Sequence, residues 1–368
     1  MKIIGVEAVL MDITYVEEMR TSFMTYKDVS NALVRVRTDA GTVGYGEVNA
    51  LPAYFGDTPK GVLSAINDIL GPTVVGCNPL DTSQWTASMD RVLYSQQNAK
   101  SGIDMAVWDI IGKFYGQPLY QLFGGMIRNG FPTTRAIGWN EPDRMVEDAL
   151  KHLAEGYTNL VVKLSDNVCD DLARITALLE NLDPEICIIF DPNSAWSVVD
   201  TIHMGRRLAH YDNNFYLEQP SPKDDIMGLA KIRQAVPVRI IADETVRSPR
   251  NLYQLAQMDA ADMVNIKVSK LGGFTKSLEA IAVAKAAGIP YRVDCMVETK
   301  IANTAGAHLA AATRHSSAGL DSHLDCQSDP VIEGGLTIDQ GCVFVSAGPG
   351  IGIKIDPKWD ELLDEAIG

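Results

Sequence analysis

The chain lacks a long apolar run, paired cysteines and any surplus of basic charge, and each absence removes a class of function. No segment approaches the ~20 consecutive apolar residues of a membrane-spanning helix. The opening Met1-Lys2-Ile3-Ile4-Gly5-Val6 alternates like a strand, where an export signal would place a long apolar stretch after a basic start. Export and membrane anchoring are therefore not expected. The six cysteines, Cys77, Cys169, Cys187, Cys295, Cys326 and Cys342, show no C-x-x-C spacing, which argues against a zinc site or a redox pair and fits a reduced cytoplasm. Only 32 Lys and Arg stand against 47 Asp and Glu, a net charge of −15, so nucleic acid and anionic membrane are poor partners. A small molecule is the partner that remains. With 46% hydrophobic content over 368 residues, the chain can bury one large core and a smaller one.

Two patterns divide the chain. Residues 2–12, 31–37 and 42–49 alternate as strands, with Thr38-Asp39-Ala40-Gly41 as the hairpin turn between the last two. Two irregular segments interrupt this sheet, Glu17–Tyr26 and Leu51–Pro59. Their apolar and aromatic content is high for solvated loops and suits a lid over a ligand, with Arg20, Phe23 and Tyr54 as its contacts. From Pro59 to Phe123 the pattern is helical, most clearly over Ala99–Asp109. After Phe131-Pro132 it becomes β-then-α, with strands near 133–137, 159–164, 187–190, 214–217, 239–242, 263–267, 289–294 and 318–321. Helical segments such as Glu141–Glu155, Cys169–Glu180 and Lys276–Ala287 separate them, and Gly156 and Gly288 sit as C-terminal caps. Repeated βα units of this length predict a closed barrel of parallel strands over 131–335. Residues 1–130 form an α+β domain that 336–368 complete, with Gly341–Asp356 expected to rejoin the N-terminal sheet.

The ends of the barrel strands carry the chemistry. Asn159-Leu160-Val161-Val162-Lys163 is an apolar strand closed by an ammonium, which must sit at a mouth and not inside a hydrophobic layer. The next three strands end in Asp191, Glu218 and Asp243, and the following one in Lys267. Strand carboxyl ends share one mouth of a barrel, so lysines on the second and sixth strands face each other across it. Three carboxylates gathered between them repel unless a cation intervenes. An all-oxygen set without His or Cys favours a hard divalent ion, most simply Mg²⁺.

The segments Asp191-Pro192-Asn193-Ser194-Ala195-Trp196, Leu217-Glu218-Gln219-Pro220, Ala242-Asp243-Glu244-Thr245 and Asn265-Ile266-Lys267-Val268-Ser269-Lys270-Leu271-Gly272-Gly273 resemble the signature segments of the enolase superfamily, muconate lactonizing enzyme subgroup. The likeness spans the chain, including Gly44-Tyr45-Gly46-Glu47. It implies a modified TIM barrel, (β/α)7β, with an N-terminal α+β capping domain. It also implies one Mg²⁺ on Asp191, Glu218 and Asp243, supported by Asn193, Gln219 and Glu244, and Lys163 and Lys267 as acid and base on the two faces of a carboxylate substrate. A cytoplasmic homo-oligomer is expected.

One departure bears on the base. The subgroup carries Lys-x-Lys at the second strand, and Val161 stands here in place of the first lysine, on the same face as Lys163. Like-charge repulsion then no longer lowers the pKa of Lys163, although desolvation and a nearby cation still do. Val161 and Ser165 are expected in the substrate wall. A second departure bears on the substrate. Asp294-Cys295-Met296-Val297-Glu298-Thr299-Lys300 resembles the corresponding segment of dipeptide epimerases and N-acylamino acid racemases, placing Asp294, Met296 and Glu298 at the substrate. Dipeptide epimerases continue with Asp-x-Asp, where this chain has Asp321-Ser322-His323. The expected substrate is an amino acid derivative, an N-acyl amino acid, dipeptide or cyclic amino acid, with Asp321 receiving a cationic group and His323 an acyl oxygen. Racemisation or epimerisation is the expected outcome. The alternatives are a dehydratase or cycloisomerase acting on a hydroxylated or cyclic carboxylate, and a metal-binding barrel without turnover.

Overall fold

The computed structural model describes residues 1–366. Strands β1 (Ile3–Arg20), β2 (Thr25–Thr38) and β3 (Val43–Val48) form an antiparallel sheet in that order. The helix Gln97–Tyr115 packs against this sheet. Glycine makes the approach possible: a Cβ at Gly44 would lie 2.0 Å from the Ala106 carbonyl oxygen, and one at Gly46 2.1 Å from that of Gly102. The glycines of Gly44-Tyr45-Gly46-Glu47 are thus docking requirements.

After the short strand β4 (Phe131–Pro132), strands β5 (Thr134–Ile137), β6 (Asn159–Lys163), β7 (Cys187–Asp191), β8 (Phe215–Glu218), β9 (Arg239–Ala242), β10 (Met263–Lys267), β11 (Tyr291–Asp294) and β12 (Ala318–Gly319) form an 8-stranded sheet paired in sequence order, parallel throughout. A parallel bridge from Thr133 to Ala318 joins its two edges, so the sheet curls into a nearly closed barrel. Val161, Ile189, Ile241 and Met263 fill an apolar layer inside it. Five of the outer helices start on side-chain caps: Asn167, Ser197, Asp225, Ser248 and Thr299 each accept an N–H of the following turn.

Two expectations are corrected. Glu17–Tyr26 is not an irregular loop: β1 and β2 run on to Arg20 and Thr25 as a long hairpin, with a register shift between Thr14 and Met19. Its sequence hides this because the outer ribbon is largely solvated and has no buried face to impose alternation. Gly341–Asp356 does not rejoin the N-terminal sheet. Cys342–Phe344 pairs with Thr337–Asp339 and with Phe131–Pro132, and Ile353–Ile355 pairs with Val331–Gly334. The return is made by the helix Pro357–Glu365, where Asp364 and Asp360 bind Arg35 at 2.6 and 3.2 Å.

Buried acids of the N-terminal domain dock it onto the barrel. Asp104 accepts the Phe274 N–H at 2.5 Å and the Thr275 hydroxyl at 2.6 Å, at the start of the helix Phe274–Ala287. Glu47 accepts from Thr299 N–H and Oγ1 and from Ala302 N–H, at the start of the helix Lys300–Ala312. Each carboxylate meets the positive end of a helix and its orphan donors.

Candidate active site

A cavity of about 510 Å³ opens at the carboxyl ends of the barrel strands, beneath the β1–β2 hairpin tip and the Pro52–Phe55 turn. The hairpin is tied down by the barrel: Trp139 donates from N–H to Arg20 O (3.2 Å) and from Nε1–H to Thr21 O (3.0 Å), while the Arg20 guanidinium lies over its ring. Arg20, Phe23, Tyr54, Val161, Lys163, Asn193, Lys267, Asp294, Met296 and Asp321 all line the cavity.

Beneath its floor lie the three strand-end acids, each with at most 1% of its surface exposed. Asp191 accepts from Lys163 Nζ at 2.6 Å. Asp243 accepts from Lys267 Nζ at 2.8 Å, Lys270 Nζ at 2.5 Å and the Tyr54 hydroxyl at 2.8 Å. Glu218 is held by Asn265 Nδ2 at 2.7 Å and Arg292 Nη1 at 3.0 Å. Asn193 Nδ2 joins Asp191 to Glu244, and Gln219 Oε1 receives the Asp243 and Thr245 N–H groups. Asn193, Ser194 and Gln219 all have positive φ, strain concentrated where the strands deliver their acids.

These contacts set the electrostatics. Burial alone would lower the pKa of Lys163, but Asp191 and then Glu218 outweigh it and hold it raised. Lys267 is raised in the same way by Asp243 and Asp294. Burial pushes Asp243 up, and Lys267 and Lys270 overcome it to hold the carboxyl far down. Glu218 and Glu244 are raised, first by burial and then by neighbouring acids.

Among the described residues, no three His, Cys, Asp or Glu side chains close on a single metal position as they stand, because lysines and Arg292 occupy the carboxylates. The donor chemistry nevertheless fits a hard divalent cation. Asp191, Glu218, Asp243 and Asp294 pair with Lys163, Lys267, Lys270 and Arg292, and Glu244, joined to Asp191 through Asn193, adds a fifth carboxyl to the buried floor, a crowding of acids that holds Glu218 and Glu244 raised. Asn193 Oδ1, Glu244 Oε2 and Asn265 Oδ1 are buried there without partners.

Several expected residues stand elsewhere. Ser165 does not line the cavity, its hydroxyl being engaged with Asp171 at 3.0 Å. Glu298 lies behind the wall, accepting the Met296 N–H. His323 sits on the short helix Ser322–Asp325 outside the cavity lining, with burial holding its pKa near 4. Asp321 does line the cavity but is already paired with Arg135 at 3.2 Å. Arg135, Arg292 and Lys270 are buried or half-buried participants absent from the sequence-based set. Their signal was a charge inside, or just beyond, an apolar strand.

Residues 5–124 match the family model of the mandelate racemase / muconate lactonizing enzyme N-terminal domain, and residues 144–359 match an enolase C-terminal domain-like model. The N-succinyl-L-Arg/Lys racemase of Bacillus cereus is 34% identical over 91% of this chain and 90% of that protein. Its crystal structure covers 99% of this chain and 98% of that one, with a TM-score of 0.94. The L-Ala-D/L-Glu epimerase of Bacillus subtilis is 31% identical over 96% of this chain and 97% of that protein. A dipeptide epimerase from Enterococcus faecalis, complexed with Mg and the dipeptide L-Leu-L-Tyr, superposes with a TM-score of 0.91 at 31% identity over 96% of this chain and all 100% of that one. Muconate cycloisomerases and a cis-3-hydroxy-L-proline dehydratase are also relatives. The chain belongs to the mandelate racemase/muconate lactonizing enzyme family of the enolase superfamily.

Proposed function

We propose that this protein is a racemase or epimerase of amino acid derivatives, which removes the proton beside a carboxylate and returns one to the opposite face. The observation that carries the reading is the pair Lys163 and Lys267. They end β6 and β10, four strands apart in the 8-stranded barrel, and both line the same cavity. Asp191, Glu218 and Asp243 would hold a divalent cation, most simply Mg²⁺. Such an ion supplies positive charge at the substrate carboxylate, offsetting the negative charge that grows there as the α proton leaves.

The chain's own residues do the rest. One lysine, as the neutral amine, takes the α proton and becomes an ammonium, while the other, as the ammonium, gives its proton to the opposite face. Reversal of the roles serves the other enantiomer. Tyr54, from the N-terminal domain, bonds Asp243 and lies against the Lys267 ammonium, 5.4 Å from ring centroid to Nζ, which limits that lysine's reach. Val161 replaces a cationic neighbour of Lys163 by an apolar wall, so desolvation and the cation's competition for Asp191 are what favour the neutral amine. The named substrates of the relatives, N-succinyl amino acids and dipeptides, support an amino acid derivative as the substrate class.

A second reading is elimination of a β-hydroxyl as water. It is favoured by the seat of Lys267 between Asp243 and Asp294, which retains its proton for a leaving group. Chiral separation of the product distinguishes the two. Conversion of a single enantiomer of an N-acyl amino acid to the racemate in the presence of Mg²⁺ supports the first reading, and release of a dehydrated product supports the second.

A further inference from the structure

We propose that Arg135 decides which nitrogen substituent the substrate carries: it satisfies Asp321 and Asp325 from within the protein, so the cavity takes amino acids with an acylated nitrogen and not a free ammonium. The inference rests on the racemase reading for its chemistry, but the recognition it describes is independent of turnover.

Arg135 lies on the first barrel strand, lines the cavity, and has a side chain only 13% exposed. Its Nη1 donates to Asp321 Oδ2 at 3.2 Å and to Asp325 Oδ2 at 2.8 Å, and its Nη2 to Asp325 Oδ1 at 2.5 Å. Asp321 Oδ2 also faces the Ala136 N–H at 3.4 Å. A guanidinium is always charged and meets a carboxylate as a fork, so this arrangement is a permanent internal substitute for a bound ammonium. An ammonium entering from the cavity would have to displace that fork or share acids already engaged, while losing its own hydration. Burial pushes the Asp321 carboxyl up to about 6, and the Arg135 guanidinium is the largest influence opposing that shift, so the internal pair is what keeps this acid charged.

The same guanidinium offers something to an acyl group. Its Nε–H and the second hydrogen on Nη2 have no acceptor among the described residues, and the residue lines the cavity. An acyl carbonyl, or the terminal carboxylate of a dicarboxylic acyl group such as succinyl, supplies the missing acceptor. Arg20, at the hairpin tip above, makes no ion pair among the described residues and adds positive charge on the same side of the cavity.

The test uses matched ligands of one amino acid at a time: the N-acetyl, N-succinyl and glycyl derivatives of alanine, leucine, lysine and phenylalanine. Acetyl and glycyl differ only by the ammonium. With the Mg²⁺-loaded protein, kcat/KM for α-proton exchange is expected to favour the acylated forms over the glycyl form by about tenfold or more, the usual worth of one charge-assisted hydrogen bond. Arg135→Met is expected to shrink or invert that ratio, mainly through KM, and Arg135→Lys to fall between. Equal or better turnover of the glycyl forms by the unsubstituted protein overturns the proposal, as does an unchanged ratio in a folded Arg135→Met. If Arg135→Met does not fold, Arg135→Lys and the unsubstituted protein decide. Calorimetric binding of the same ligands separates the two layers: acyl preference without exchange keeps Arg135 in this role and rejects the racemase chemistry, while glycyl preference, or no binding of any ligand, rejects the role.

Discussion

Lys163 and Asp191 face each other across one rung of the parallel β6–β7 ladder, with Nζ 2.6 Å from Oδ2. The lysine therefore occupies an oxygen that a divalent cation would claim, and the two compete for it. Lys163→Ala is expected to bind Mg²⁺ at least as tightly as the unsubstituted protein, because a competing cation is gone. Calorimetric titration of chelator-treated protein checks this, and markedly weaker binding in the variant would show that Lys163 supports the site.

Asp243 is engaged by Lys267, Lys270 and Tyr54 at the buried end of β9. Asp243→Asn removes the charge that balances two buried ammoniums. We expect weaker Mg²⁺ binding together with a loss of several kcal/mol of stability in the metal-free protein, roughly the 3–5 kcal/mol typical of a broken buried pair. Binding equal to that of the unsubstituted protein would remove Asp243 from the ligand set.

The two lysines are expected to divide the enantiomers between them. Lys163→Ala should abolish α-proton exchange from one enantiomer and Lys267→Ala from the other, each losing about a thousandfold or more, as expected when a general base is removed. Proton NMR in deuterated water reads both. Normal turnover of both enantiomers by Lys163→Ala would make the enzyme a one-base catalyst.

His308 is fully buried, stacked on Tyr120 and bonded through Nε2 to Ile351 O at 3.0 Å, and burial lowers its pKa from 6.5 to about 4. The folded-state value is depressed, so the unfolded chain takes up a proton first as pH falls. Its stabilising contribution is complete above about pH 6.5 and is lost towards pH 4, at up to about 1.4 kcal/mol per pH unit. Urea denaturation across this range should show a shallower slope in His308→Gln, by about one proton. An identical slope would mean that His308 is charged in the folded state.

Much of this was legible in the sequence, for reasons visible in particular residues. A charge that closes an apolar strand has one place to go, so Lys163, Asp191, Glu218, Asp243 and Lys267 were traceable to a barrel mouth. Arg135 and Arg292 carry a related signal, a charge within an apolar strand. Arg292 meets one acid locally, Asp294 two residues on, but their shorter contacts are with Glu218, Asp321 and Asp325, 74 to 190 residues away, which no local pattern pairs with them. The hairpin tip was hidden because solvated ribbon has no buried face. The pairing of the C-terminal strands was hidden because register between distant segments is set by packing.

The central claim is that the protein labilises the proton beside a carboxylate in an amino acid derivative. The direct measurement is α-proton exchange in deuterated water with Mg²⁺, across N-acyl amino acids, dipeptides, cyclic amino acids and sugar acids. The account predicts that N-acyl amino acids lose the α-proton signal at a rate that falls to background on chelation of the metal. Exchange confined to sugar acids, or exchange from no carboxylate at all, would contradict it.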